Sequence, residues 1–174
     1  MSEEMLVCHC SPTLAGLKTG SLFSCPYSSQ KMIIKEIREF NQKLTQKGIR
    51  IILVYVYRPE KLKEDFSDEK TQIILKCKGY DCTNPSQCIC RLIQKLQSDP
   101  DFPHEIGLFL GYPAEDVKGF IENKAACSKC SGCWKVYGDE QAARILFKKY
   151  KKCTEIYCRR WKSGVAVEQL TITI

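Results

Sequence analysis

Ile49-Arg50-Ile51-Ile52-Leu53-Val54-Tyr55-Val56-Tyr57 is an apolar run broken only by Arg50, rich in β-branched and aromatic side chains. A run of that kind lacks the alternation of a half-exposed strand and is expected as a central strand covered on both faces. Something must cover it, and the flanking sequence supplies helices. Upstream, Ser28 or Ser29 caps a helix to about Lys47, with Met32, Ile33, Ile37, Phe40 and Leu44 at helical spacing and Gly48 as its stop. Downstream, helices are expected over Pro59 to Phe66 and over Asp68 to Lys78, the second ending at Gly79.

Further from the run the same alternation continues. Asn84-Pro85 pairs a cap residue with a first-turn proline, and Ile89, Leu92, Ile93 and Leu96 form the apolar stripe of a helix that Asp99-Pro100 ends. The segment from about His104 to Leu110 reads as a strand, Gly111 as a turn, and Pro113 to about Glu122 as a helix. Trp134 to Tyr137 is a strand candidate. Asp139 caps a long helix that runs to about Lys162, and Val165 to Ile174 reads as a closing strand. Toward the N-terminus, a short apolar strand is expected to end at Cys8 and turn into a helix at Pro12, with Ser21 to Ser24 as a second short strand. Strands separated by helices predict an α/β or α+β fold, a single layered domain over residues 1–174 with a mixed β-sheet and helices packed on it.

A chain of 174 residues buries about 70% of its unfolded surface and needs no disulfide staples. Its twelve cysteines therefore call for another account. The acidic start, Met1 to Val7, has no stretch apolar enough for a signal peptide, and no segment reaches the roughly 18 apolar residues of a membrane span. A reducing, cytoplasmic home is expected, where cysteines pack, bind metal or do redox work. The charge is equally uneven. Residues 144 to 162 carry eight basic residues against Glu155 alone, which accounts for the whole formal net charge of +7.

The stretch Phe102-Pro103-His104-Glu105-Ile106-Gly107-Leu108-Phe109-Leu110-Gly111-Tyr112-Pro113-Ala114-Glu115-Asp116-Val117-Lys118-Gly119-Phe120 is the most informative for chemistry, with a histidine and a carboxylate at the mouth of an apolar run. It holds no nucleophile. Cys10, at the expected start of a helix, would be acidified by the positive end of the helix dipole and could supply one. On that reading Cys10 is the nucleophile, His104 the base, and Glu105 or Asp116 the carboxylate that orients it. The substrate would be a small molecule or a peptide. The alternative is that Cys10 is packed and His104 satisfies a backbone carbonyl.

A second constellation is Cys127-Ser128-Lys129-Cys130-Ser131-Gly132-Cys133. Two overlapping Cys-x-x-Cys turns can offer three sulfurs to zinc or to an iron–sulfur cluster. A closed site needs a fourth ligand, for which Cys8, Cys10, Cys153 and Cys158 are the candidates. Cys88 and Cys90, two apart on a helix, point about 200° from one another and cannot easily clamp one ion. Cys25, Cys77 and Cys82 have no partner at ligand spacing.

The third candidate is the basic helix, as a nucleic-acid-binding face. Phe147, Tyr150, Thr154, Tyr157 and Trp161 should face the core, leaving Lys148, Lys151, Lys152, Glu155, Arg159 and Lys162 to solvent. Nucleic-acid sites pair charge with exposed stacking aromatics, which argues against that role here.

Two resemblances follow from these residues. A cysteine opening a helix, followed later by a histidine opening a His-x-x-Gly-aliphatic-aromatic-aliphatic-Gly segment, resembles papain-like peptidases of the NlpC type over about a dozen residues, and implies a hydrolase or transferase with a Cys–His pair. His9 to Lys18, Phe102 to Ile121, Cys133-Trp134-Lys135-Val136-Tyr137-Gly138 and Lys152-Cys153-Thr154 together resemble the bacterial domain-of-unknown-function family DUF3793 over nearly the whole chain. That family is mostly from anaerobes, which would suit a thiol-rich protein. The resemblance implies no mechanism.

Overall fold

The structure, a computed structural model, describes residues 3–26, 51–81 and 84–172. The helix expected from Ser28 or Ser29 to Lys47 lies outside the described residues. The elements run α1 (Glu3–Leu14), β1 (Gly20–Pro26), β2 (Ile51–Tyr57), α2 (Pro59–Ser67), α3 (Glu69–Cys77), α4 (Pro85–Ser98), α5 (Ile106–Phe109), α6 (Ala114–Glu122), β3 (Cys130–Ser131), β4 (Lys135–Val136), α7 (Glu140–Lys162) and α8 (Val167–Leu170).

This is an α+β fold. Among the described residues the strands form two separate antiparallel pairs, β1 with β2 and β3 with β4, in place of one mixed sheet. The β1–β2 ribbon is nonetheless covered on both faces, as its composition requires. Phe23 lies opposite Val54 and Leu22 opposite Tyr55, and the period of two sends these pairs to opposite sides. On one side Phe23, Val54 and Val56 pack with Cys10 and Leu14 of α1 and with Tyr157 of α7. On the other, Leu22, Tyr55 and Tyr57 pack on a core built from Leu62, Phe66, Leu75, Leu92 and Phe109 of α2 to α5.

Caps fix where the helices begin. The Asp68 side chain accepts from Thr71 N at 2.8 Å, that of Asn84 from Ser86 N at 2.9 Å, and that of Asp139 from Ala142 N at 3.0 Å, each satisfying a first-turn amide that has no partner within its helix. Gly79 and Gly164, at φ +78 and +92, follow α3 and α7 in the left-handed conformation that ends helices. On α4 the buried stripe is displaced from expectation. Cys88 and Leu92 are its buried residues, and Ile93 is exposed.

Three elements differ from their sequence reading. The N-terminal residues form helix α1 rather than a strand, and Pro12 lies inside its last turn rather than at a first one. Val7, Cys10 and Leu14 are buried at helical spacing, a signal that the short apolar run Met5-Leu6-Val7 masks. The segment 104 to 110 is a turn followed by the single-turn helix α5, whose four residues are all buried. A short run that is apolar at every position has no period, so periodicity alone does not separate strand from buried helix. The C-terminal stretch forms α8, and Ile172 N then donates to Leu14 O at 3.0 Å.

The guanidinium of Arg58, at the end of β2, holds the end of α1. It donates to Thr13 O at 2.5 Å, to Leu14 O at 2.6 Å and to Ile172 O at 2.8 Å. These are carbonyls that a helix C-terminus and the stretch after α8 would otherwise leave to water. Among the described residues no helix is long and apolar enough to cross a membrane.

Candidate functional site

The residues singled out for catalysis are distributed over separate parts of the fold. Cys10 lies in the second half of α1, fully buried against Leu14 and Phe23. It has no helix N-terminus beside it. Burial pushes its thiol up to about 11, against smaller opposing effects from Lys18 and from a hydrogen bond with Ser21. The acidification expected of Cys10 is therefore replaced by its opposite, because the helix begins at Glu3, nine residues before Pro12.

His104 is exposed and sits edge-on to Phe120 with ring centroids 5.0 Å apart, and 5.8 Å from the ring of Phe102. Neither carboxylate proposed to orient it does so. Glu105 is buried and turned into an ion pair with Lys95 Nζ at 2.8 Å, with Tyr80 Oη donating to it at 3.0 Å. Burial alone would raise its carboxyl, but the hydrogen bonds from Lys95, from its own backbone N–H and from Tyr80 outweigh burial and hold it below the ordinary carboxylate value. Asp116, also buried, accepts from Trp134 Nε1 at 2.6 Å and from the backbone amides of Tyr137 and Gly138, both at 2.7 Å. It clips the β3–β4 hairpin onto the first turn of α6.

The three clustered cysteines are spread along that hairpin. Cys127 precedes it at φ +57, Cys130 lies in β3 opposite Val136, and Cys133 is in the turn. Among the described residues no three His, Cys, Asp or Glu side chains converge as a metal ion would require. The fourth-ligand candidates lie elsewhere: Cys153 is buried on α7, and Cys8 is exposed on α1, with its Sγ 3.7 Å from that of Cys158 on α7.

The structure does gather much of the Phe102 to Phe120 stretch around one cavity. It has a volume of about 280 Å³ and lies between α5–α6 and the β3–β4 turn. Phe102, His104, Val117 and Phe120 line it from one side, and Gly132, Cys133, Trp134 and Lys135 from the other. The lining is mostly aromatic and aliphatic, and its polar members are His104, Asp116, Ser131, Cys133 and Lys135.

Local packing fixes these walls. Trp134 is buried, stacks on Tyr112 at 4.7 Å and meets Phe147 edge-on at 4.6 Å. Gly132 and Gly119 let the hairpin approach, since a methyl group at either would overlap the ring of Phe147 or of Tyr137. Lys18 lies over the Tyr112 ring, 5.0 Å from its centroid. Burial pushes the Lys18 amine down, with Cys133 and Cys10 acting in the opposite sense. Burial also pushes the Cys133 thiol up, with Lys18 partly opposing it. Cys133 is thus a neutral thiol at physiological pH, suited to contact more than to attack.

Sequence reasoning found one wall of this cavity and missed the other. Trp134 reads locally as a strand residue. The Asp116 carboxylate, 18 positions earlier, connects it to the helix it faces.

A family model described as "Protein of unknown function (DUF3793)" matches residues 6–171, and the chain belongs to that family. No curated protein and no solved structure matches it.

Proposed function

We propose that this member of a family of unknown function binds a small, flat, largely apolar molecule in the cavity between α5–α6 and the β3–β4 turn. The observation that carries the reading is the lining: Phe102, His104 and Phe120 on one side, Trp134 on the other, around about 280 Å³. Small-molecule sites are concave and mainly apolar with a few polar groups that orient the ligand, and typical volumes begin near 300 Å³. This cavity suits a ligand of one or two fused rings, with His104 and Cys133 as the orienting polar groups.

The thiol-enzyme reading has less support. Cys10 is buried, its thiol is raised to about 11, and it packs with Leu14 and Phe23 while His104 lines the cavity. On the basic helix α7 Tyr150 is buried and Phe147 packs on Trp134, so these two rings are turned away from the lysines and do not offer bases a stacking platform.

Two-dimensional NMR of the indole N–H groups tests the proposal, because the chain has two tryptophans and only Trp134 is in the cavity. Titration with 2-naphthol should shift the Trp134 indole resonance saturably and leave that of Trp161 in place. Phe120→Ala should weaken binding by about tenfold, as expected for a lost ring contact of ~1.4 kcal/mol. Equal, non-saturating shifts at both indoles would overturn it.

A further inference from the structure

Outside the cavity, two cysteines from opposite ends of the chain stand side by side. Cys8 of α1 and Cys158 of α7 are separated by 150 positions in sequence, yet their sulfurs are 3.7 Å apart. Cys8 is exposed and Cys158 half-buried, so a small thiol or disulfide in solution can reach the pair. Sulfurs in a disulfide are about 2.05 Å apart. The two must approach by about 1.7 Å to bond. By contrast, Cys10 and Cys153 are buried, and Cys77, Cys90 and Cys127 are exposed.

We propose that Cys8 and Cys158 form a reversible thiol–disulfide couple that fastens α1 to α7. The oxidant is a low-molecular-weight disulfide such as glutathione disulfide. A thiolate of the pair attacks one sulfur of that disulfide, whose S–S bond breaks and releases one glutathione thiolate, leaving a mixed disulfide on the protein. The second thiol loses its proton to solvent and attacks the protein sulfur of the mixed disulfide. It displaces the second glutathione as thiolate and forms the Cys8–Cys158 bond. Two electrons pass from the two cysteines to glutathione disulfide, and excess thiol reverses both steps.

Its exposure makes Cys8 the thiol that meets the small disulfide first, with Cys158 beside it to resolve the mixed disulfide. Glu4 and Lys162 are the charged neighbours of Cys158 and act in opposite senses on its thiol, which burial and the hydrogen bond with Cys8 push up. The mutual hydrogen bond keeps the pair together as one donor and one acceptor. Once joined, the bond closes nearly the whole chain into a loop, and long loops lose the most unfolded-state freedom on cross-linking. Oxidation therefore acts as a stability switch at a site distant in sequence from the cavity residues.

The test uses the full chain equilibrated with glutathione and glutathione disulfide mixtures, alkylated with iodoacetamide, digested without reduction and mapped by mass spectrometry. The expected result is a linked peptide joining Cys8 to Cys158, formed at a lower disulfide fraction than any other cross-link and removed by dithiothreitol. The melting temperature of the oxidised protein should rise, and that rise should be absent in Cys8→Ser and Cys158→Ser, each of which melts like the reduced parent. In Cys8→Ser, Cys158 should instead accumulate as a single glutathione adduct. Recovery of Cys8 and Cys158 only as separate adducts, as links to other cysteines, or as links between two molecules would overturn the proposal.

Discussion

The indole N–H of Trp134 donates to Asp116 Oδ2 at 2.6 Å, so one wall of the cavity hangs from a buried carboxylate on the opposite wall. Asp116 also receives the amides of Tyr137 and Gly138. Replacing Asp116 by Ala leaves three donors without a partner, and a buried hydrogen bond to a charged group contributes about 1.5–3 kcal/mol. Asp116→Ala should lower stability by about 3 kcal/mol, with Asp116→Asn intermediate, in urea unfolding. Loss of the Trp134 near-ultraviolet circular dichroism band before global unfolding would show the hairpin releasing first.

Glu105 and Lys95 form a buried ion pair in which the carboxyl is held below its ordinary value of 4.5. The unfolded chain therefore takes up this proton more readily than the folded one. The pair's contribution to stability is fully present above about pH 4.5 and is lost as pH falls through the lower folded value. Glu105→Gln should flatten that part of the stability–pH curve. Lys95→Met alone should cost about 3 kcal/mol by stranding the carboxylate, and Lys95→Met with Glu105→Leu should recover most of it. Chemical denaturation at pH 3 to 7 reads both effects.

Cys10 should resist alkylation in the native protein. With its thiol raised to about 11, the thiolate fraction at pH 8 is at least ~100-fold below that of an unperturbed thiol near ~8.5, before burial is considered. Iodoacetamide labelling followed by peptide mapping should find Cys90 modified long before Cys10, with the two equal in denaturant. The sign of the linkage runs opposite to that of Glu105. Stability from keeping Cys10 protonated is present below about pH 9 and declines as pH rises toward 11.

Gly119 lies inside α6, where alanine would ordinarily favour the helix by about 1 kcal/mol. Here a methyl group would meet the Tyr137 ring, and overpacking of this kind costs about 1–3 kcal/mol. Gly119→Ala should therefore destabilise the protein in thermal melts. Combined with Tyr137→Ala, the same change should become neutral or stabilising.

Elements announced by a specific side chain were legible in the sequence. Asp68, Asn84 and Asp139 mark helix starts by a chemistry that any chain must satisfy, and α3, α4 and α7 begin where those residues stand. The β1–β2 ribbon was legible as a doubly covered strand from Tyr55 and its neighbours, although not as a separate pair. Met5-Leu6-Val7 and Ile106 to Phe109 were not, because tertiary burial decides the conformation of a short apolar run. The misreading of α1 carried over to the chemistry. Once the helix starts at Glu3, Cys10 becomes a packed residue and the expected Cys10–His104 site loses its acidified thiol. The cavity wall from Phe102 to Phe120 was legible as a candidate, whereas Trp134 joins it through a long-range hydrogen bond with no local signature.

The Arg58 guanidinium also sets a timetable for biosynthesis. Two of its three acceptors, Thr13 O and Leu14 O, precede it on the chain, but the third, Ile172 O, lies 114 positions later. At elongation rates of about 5–20 residues per second, roughly 6 to 23 s separate the emergence of the two groups. During that interval the end of α1 has Arg58, Ser21 and Phe23 to hold it, while α7, which packs on the same face of the ribbon as α1, is still to be made. The contacts that α1 makes with α7 and with Ile172 are thus added to a helix already seated on the ribbon.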